Sequence, residues 1–300
     1  LELLPQAEAA NQLFELKVPR PFIARMAKGD VNDPLLRQVL PLGEEQAVTP
    51  GFSHDPLAES QSNAVKGLVH KYQGRVLLVV APNCAVNCRY CFRRHFPYQD
   101  NNPSRQQWLE VFDQIAKDSS IHEVIFSGGD PLASPDRQLQ WMVDQLESIP
   151  HLKRLRIHTR LPVVIPQRVT DTMLTWLTGS RLKPVMVIHA NHASELDTHV
   201  AKALSLLRDK GVMLLNQAVL LKGINDQLED QVALSERLFE VDVLPYYLHL
   251  LDKVQGTAHF DLPHRQAMQL HQQMQGVLPG FLVPKLVREE AGESQKTLII

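Results

Sequence analysis

From about residue 75 onward the chain alternates short β-branched runs with stretches whose apolar positions recur every three or four residues. That is the pattern of repeated β/α units around a parallel sheet. Strand-length runs stand at Arg75 to Ala81, Glu123 to Ser127, Arg154 to His158, Val185 to His189, Val212 to Val219 and Val243 to Leu248. Between them Trp108, Val111, Phe112 and Ile115 fall at i, i+3, i+4 and i+7, as do Leu139, Met142, Val143 and Leu146, so each set marks a one-faced helix. Ser134 is placed to cap the second helix, with Pro135 at its first position. A further helix is expected from about Ser194 to the residue before Gly211, a natural helix-ending glycine directly ahead of the Val212 strand. The expected fold is α/β, with six parallel strands in a partial β/α barrel or open sheet.

Residues 1–70 lack this rhythm. Pro19, Pro21, Pro34, Pro41, Pro50 and Pro56 break them into short helices and loops, so they read as an N-terminal extension before a barrel of residues 71–263. Residues 264–300 carry a helix pattern (Met268, Leu270, Met274), a short strand from Gly280 to Val287 and a polar turn. Polar residues gather where the candidate strands end: a cysteine loop after Ala81, Ser127 to Asp130 after the second strand, His158 and Arg160 after the third, His189 after the fourth. Ligands of parallel β/α folds bind at the carboxyl ends of the strands, so these segments are expected to share one rim and one site.

Composition adds boundaries more than direction. With 44% hydrophobic residues, 21% charged residues and a formal charge of -2, the chain reads as soluble and globular, with no global bias towards nucleic acid or anionic membrane. No apolar run approaches the roughly 18 residues that span a bilayer. Leu1 to Ala10 lack the basic start of a secretory signal, and without an initiator Met a trimmed terminus is expected, with a removed leader left open. Closely spaced thiols fit a reducing compartment, so a cytoplasmic location is expected.

The 3 cysteines, Cys84, Cys88 and Cys91, form one Cys-x3-Cys-x2-Cys triplet. Cys88 and Cys91 share a face of a helical turn, with Cys84 one turn earlier. A tetrathiolate site is excluded, whereas a four-iron cluster with one open iron is allowed. The competing readings are inert buried cysteines, or a zinc site completed by a histidine such as His95.

This triplet after a first barrel strand, with Ser127, Gly128, Gly129 and Asp130 after the second, resembles the radical S-adenosylmethionine (SAM) superfamily. Longer stretches are similar to the lysine 2,3-aminomutase family: Cys88 to Tyr98 (CRYCFRRHFPY), Phe126 to Leu132 (FSGGDPL), Leu215 to Asp226 (LNQAVLLKGIND) and Pro245 to His249 (PYYLH). The likeness runs from about residue 17 to the end. Specifically it is to the bacterial EpmB-type branch, which supplies β-lysine for modifying translation elongation factor P.

The resemblance implies a partial barrel of radical SAM type and three cofactors. A 4Fe–4S cluster on Cys84, Cys88 and Cys91 would reduce SAM to methionine and a 5′-deoxyadenosyl radical. Ser127, Gly128, Gly129, Asp130, His189 and Gln217 match SAM-binding positions. Pyridoxal phosphate (PLP) would be held as a Schiff base by Lys296, with Lys71 and Arg75 near its phosphate. Arg93 matches the position that grips the carboxylate of an α-lysine substrate, and Asp252 and Glu289 match the two that hold its distal ammonium. Read without the family, Lys296 is a solvated tail lysine and Glu289 an ordinary surface charge. Some positions depart from the family: Glu289 replaces aspartate, Lys71 replaces arginine, and Leu298 stands where a proline is usual.

The implied reaction is a radical 1,2-amino migration from (S)-α-lysine to (R)-β-lysine, with functional links to elongation factor P and its lysyl-ligase, and with oligomeric state left open. A catabolic aminomutase, for lysine or another amino acid, is the alternative. Those relatives are longer and carry further cysteines for zinc, whereas this chain ends four residues past Lys296 without a spare thiol.

Overall fold

The computed structural model describes residues 4–59, 65–97 and 103–299, so Tyr98, at the end of the Cys88 motif, lies outside the described residues. Among the described residues nine strands form one sheet in chain order: β1 (Leu68–Tyr72), β2 (Arg75–Ala81), β3 (Glu123–Gly128), β4 (Arg154–Thr159), β5 (Lys183–Ile188), β6 (Met213–Val219), β7 (Leu244–His249), β8 (Lys285–Arg288) and β9 (Thr297–Leu298). From β2 to β8 each strand pairs in parallel with the next, and β1 and β9 pair antiparallel at the two edges. The result is an open, partial β/α barrel.

The expected strands are β2 to β7. Gly280–Leu282 turns as a 3-10 helix instead of opening the next strand, and β8 starts only after Pro284, which has no N–H to give to a ladder. Once started, β8 continues the parallel series beside β7. Neither edge strand was expected. β1 reads Leu-Val-His-Lys-Tyr, too polar to stand out, and β9 has only two residues. The available signal for β1 was its two-residue connection to β2, Gln73-Gly74, in which Gly74 adopts φ +78°.

The principal helices are α1 (Leu4–Leu13), α2 (Arg105–Lys117), α3 (Asp136–Glu147), α4 (Asp171–Thr178), α5 (Thr198–Asp209), α6 (Leu228–Glu240) and α7 (His264–Val277). α2 begins in a capping box: Gln107 N–H donates to Ser104 Oγ, and Ser104 N–H donates to Gln107 Oε1 at 2.8 Å. Its Trp108, Val111, Phe112 and Ile115 are buried, each contributing about 1.5–3 kcal/mol.

Two helix starts differ from expectation. The N-cap of α3 is Pro135, whose carbonyl accepts from Gln138 and Leu139, while the Ser134 hydroxyl donates to the Val80 carbonyl at 3.0 Å. Ser134 therefore ties the β3–α3 connection to β2 and does not cap the helix. α5 starts at Thr198 and not near Ser194, because Ala193–Glu195 forms a separate 3-10 turn and Asp197 accepts from Val200 N–H at 2.9 Å.

One continuous core joins the barrel to its flanks. It includes Phe22 and Leu35 from the N-terminal residues, Trp108, Phe126, Trp176 and Met186 from the β/α units, and Leu286 from β8. A smaller cluster of Tyr90, Leu221, Ile224, Leu251 and Phe260 packs against Cys88. No helix among the described residues is long and apolar enough to cross a membrane.

Candidate active site

The cysteines lie on the loop after β2, which runs as successive turns instead of a helix. Cys91 N–H donates to the Cys88 carbonyl at 3.0 Å, and Arg94 N–H to the Cys91 carbonyl at 3.2 Å. N-terminal residues clamp this loop. Asn87 N–H donates to the Lys17 carbonyl at 2.8 Å, and Arg89 N–H to the Gln38 carbonyl at 2.9 Å. The Arg89 side chain, fully buried, donates from Nε to Glu45 Oε1 at 2.8 Å, and Arg94 Nη2 donates to Glu45 Oε2 at 2.8 Å. Burial, reinforced by the neighbouring cysteines, pushes the Cys84 thiol up and the Cys91 thiol to about 12. Deprotonating them calls for a compensating cation.

The glycine-rich turn after β3 backs onto this loop. A Cβ on Gly129 would strike the Asn83 carbonyl, and one on Gly128, at φ +122°, would lie 2.6 Å from the Ala81 oxygen. Gly129 and Asp130 N–H groups donate to the Ala81 and Asn83 carbonyls at 2.8 and 2.9 Å. The Asp130 side chain turns inward: it accepts from Leu132 N–H, the Thr159 hydroxyl, Arg160 N–H and Leu161 N–H at 2.6–3.1 Å. Its carboxylate thereby fixes the loop after β4, while Ser127 Oγ accepts from Arg93 Nη1 at 3.2 Å.

His189, just past β5, shares a hydrogen bond of 2.7 Å between Nε2 and the Tyr90 hydroxyl. Burial and then Arg160 depress it to about 3, so it stays neutral. Asn191 Nδ2 donates to the same hydroxyl at 2.7 Å, which ties the rim after β5 to the cysteine loop. Gln217 lies on β6, half-buried and in register with Tyr247.

A chain of ion pairs crosses the barrel. Arg93 grips Glu59 with two prongs, Nε to Oε2 at 2.7 Å and Nη2 to Oε1 at 2.8 Å, and its Nη1 also reaches the Gly128 carbonyl at 3.1 Å. Lys71 Nζ lies 3.5 Å from Glu59 and 3.4 Å from Glu289, and Glu289 also pairs closely with Lys296. Burial would raise the Glu289 carboxyl, but Lys296 and then Lys71 hold it at about 2. Asp252 behaves oppositely: burial, with Glu289 adding like charge, pushes it up to about 7. Arg75 stacks on the Tyr72 ring at 4.5 Å, and burial, with the Glu289 charge beside it, pushes the Tyr72 hydroxyl up.

Arg93, Ser127, Gly128, Lys71, Glu289 and Lys296 are thus one connected set. Asp252 joins it through its field alone. Glu59, Glu45 and Gln38 were missed in the sequence, since none stands in a spacing that announces chemistry.

The donor set suits the cofactors that such residues imply. Several buried polar atoms have no protein partner: Asp252 Oδ1, His158 Nε2 and His249 Nε2 around Lys296, and Arg160 Nε beside the cysteine loop. Bound groups carrying anions, ammonium or sulfide would complete them. Among the described residues, no three His, Cys, Asp or Glu side chains converge as ligands of a single metal ion. His95 stacks on His54 at 4.3 Å and contacts the Gln255 carbonyl at 3.3 Å.

A thiol triplet after the first parallel strand, backed by a glycine-rich turn at the rim of a partial β/α barrel, defines the radical SAM class. The Radical SAM superfamily model matches residues 78–179. Solved structures share the fold: native anSMEcpe with bound AdoMet and Kp18Cys peptide superposes with TM-score 0.50 at 12% identity, over 66% of this chain and 57% of that one. A histidine-tagged form of anSMEcpe with bound AdoMet gives 0.51 at 13% identity and the same coverage.

Within that class the chain belongs to the L-lysine 2,3-aminomutase family. It is 53% identical to the L-lysine 2,3-aminomutase of Haemophilus influenzae over 98% of this chain and 87% of the relative. With the Escherichia coli protein of that name it shares 50% identity over 99% and 86%. A Clostridium subterminale relative is 33% identical over 93% of this chain and 67% of its own length.

Proposed function

We propose that the protein isomerises (S)-α-lysine to (R)-β-lysine, with the α-nitrogen moving to the neighbouring carbon. Cys84, Cys88 and Cys91 would hold a 4Fe–4S cluster; Ser127, Gly128, Gly129, His189 and Gln217 would line the SAM position, with Asp130 shaping it from behind. Lys296 would bind PLP, with Lys71 and Arg75 near its phosphate. When bound, these groups supply a carbon-centred radical that takes a hydrogen atom from lysine and a carrier for its migrating nitrogen.

The protein's own part is recognition and positioning. The observation that carries the reading is the unbroken ion-pair chain from Arg93, two residues past Cys91, to Lys296. Its grips reveal the charge each position accepts. Arg93 holds a carboxylate in a bidentate fork, the geometry an amino-acid carboxylate needs. Glu289 holds ammonium groups, and Asp252 beside it keeps an unpartnered oxygen, so the pair suits a distal ammonium. Water exclusion follows from the N-terminal clamp over the cysteine loop.

The higher identity to the Haemophilus and Escherichia relatives than to the clostridial one supports the EpmB-type branch, in which β-lysine serves a cytoplasmic modification of elongation factor P. The test is anaerobic incubation with SAM, dithionite and (S)-lysine, followed by chiral product analysis. β-Lysine is expected. Turnover of a different amino acid with none of lysine would overturn the substrate assignment.

A further inference from the structure

Arg160 follows β4 directly, and its backbone N–H donates to Asp130 Oδ2 at 2.7 Å, which fixes where the side chain starts. The guanidinium is buried between the Phe22 and Tyr90 rings, at 5.2 and 5.8 Å. Nη1 donates to Cys88 Sγ at 2.7 Å; Nη2 donates to Gln38 Oε1 at 2.6 Å and to Glu195 Oε2 at 2.9 Å. Nε is buried without an acceptor in the protein. Glu195 is itself fully buried and held: its Oε1 accepts from Asn191 N–H at 2.8 Å, His192 N–H at 3.1 Å and Gln38 Nε2 at 3.1 Å.

Arg160 and Glu195 therefore form a fixed dipole with its positive end against the Cys88 sulfur. A buried ion pair is poor evidence of a stability role, because an apolar pair of similar volume is often at least as stable. A guanidinium aimed at a thiol sulfur does something an apolar side chain cannot.

We propose that Arg160 sets the reduction potential of the iron–sulfur cluster on Cys84, Cys88 and Cys91, with Glu195 as its opposing charge; this rests on reading the triplet as a cluster site. Reduction transfers one electron from an external one-electron donor to the cluster, making it more negative by one charge. N–H···S hydrogen bonding and an adjacent fixed positive charge stabilise that product and raise the potential. Because both groups are locked by other partners, the dipole is in place before the electron arrives. Arg160 is a positioning residue here, acting through Cys88.

The test is an EPR-monitored potentiometric titration with dithionite on anaerobically reconstituted wild type, Arg160→Gln, Arg160→Lys and Glu195→Gln, each checked for iron and sulfide content. Arg160→Gln is expected to move the midpoint to more negative values and Glu195→Gln to more positive ones. Arg160→Lys, which keeps the charge, is expected to lie between Arg160→Gln and wild type. A purely structural role would displace both neutralising variants in the same direction, and that result overturns the proposal. So does an unchanged midpoint in fully loaded Arg160→Gln. If Arg160→Gln does not hold iron, the signs of Glu195→Gln and Arg160→Lys decide. A wild type that assembles no cluster fails at the iron and sulfide assay, and sinks the cluster reading itself.

Discussion

Replacing Glu45 by alanine removes one carboxylate and strands two guanidiniums. Glu45 and the Arg89 side chain are both 0% exposed and Arg94 is 2% exposed, so neither cation gains water when its partner is lost. Arg89 would keep one strong contact, Nη1 to the Phe14 carbonyl at 2.6 Å, and Arg94 would keep the Arg89 and Gly256 carbonyls. Breaking a buried ion pair from one side costs about 3–5 kcal/mol. At about 2 °C per kcal/mol for a chain this long, the melting temperature should fall by about 6–10 °C. Urea denaturation of Glu45→Ala, Arg89→Met and the double variant gives the coupling energy directly. The double variant is expected to recover only part of the loss, since one stranded charge goes with the carboxylate while Arg94 stays buried without its partner. Iron uptake by Glu45→Ala should also fall, because this pair holds the cysteine loop against the N-terminal residues. A single-variant loss under about 1 kcal/mol, or strict additivity in the cycle, would exclude a buried, coupled Glu45–Arg89 pair.

Asp252 gives lysine affinity a pH dependence. Its carboxyl, raised from 3.8 to about 7, must be ionised to meet an ammonium, so binding should tighten as pH rises through about 7 and release a proton below it. The same raised pKa gives stability that is full below 3.8 and lost as pH rises through about 7. Calorimetry in buffers of different ionisation enthalpy measures the proton, and Asp252→Asn should abolish the dependence. Gly129→Ala should lower thermal stability by about 1–3 kcal/mol, because the new methyl meets the Asn83 backbone and not a flexible side chain. Gly276→Ala, in α7 with nothing within 4 Å, serves as the unhindered control and should hold or raise stability, and equal melting of the two would be inconsistent with the packing described. Lys296→Ala should remove the visible imine absorbance of the PLP-loaded protein; absorbance retained in that variant would exclude Lys296 as the PLP lysine.

How much of this could be read from the chain depended on how local the signal was. β2, β3 and β5 were legible as near-continuous apolar runs, as in Val76 to Ala81, and β4 by the alternation of Leu155 and Ile157 with polar residues. β1 and β9 were not, since a sheet edge tolerates a sequence as polar as Leu-Val-His-Lys-Tyr. The cysteine triplet was visible by spacing alone. Lys296, Arg93, Asp252 and Glu289 were reached only through family resemblance, because each is a single charge without a pattern.

Supporting residues were hidden for a further reason. Gln38 meets Glu195 across 157 positions, Glu45 meets Arg89 across 44, and Glu59 meets Arg93 across 34. No local periodicity encodes such pairings. Asp130 is the instructive intermediate case: its place after Gly128 and Gly129 pointed to the SAM rim, while its carboxylate faces Thr159 and the Arg160 and Leu161 N–H groups. The turn was legible, but the direction of the side chain was not.

The most direct measurement follows the nitrogen itself. Anaerobic protein loaded with iron, sulfide, PLP and SAM should be given (S)-lysine carrying heavy nitrogen at its α-amino group, and the product examined by NMR. β-Lysine with the label on the β-carbon, and none released as ammonia, is the expected result. Label remaining on the α-carbon, or appearing as free ammonia while the cluster is intact, would contradict it.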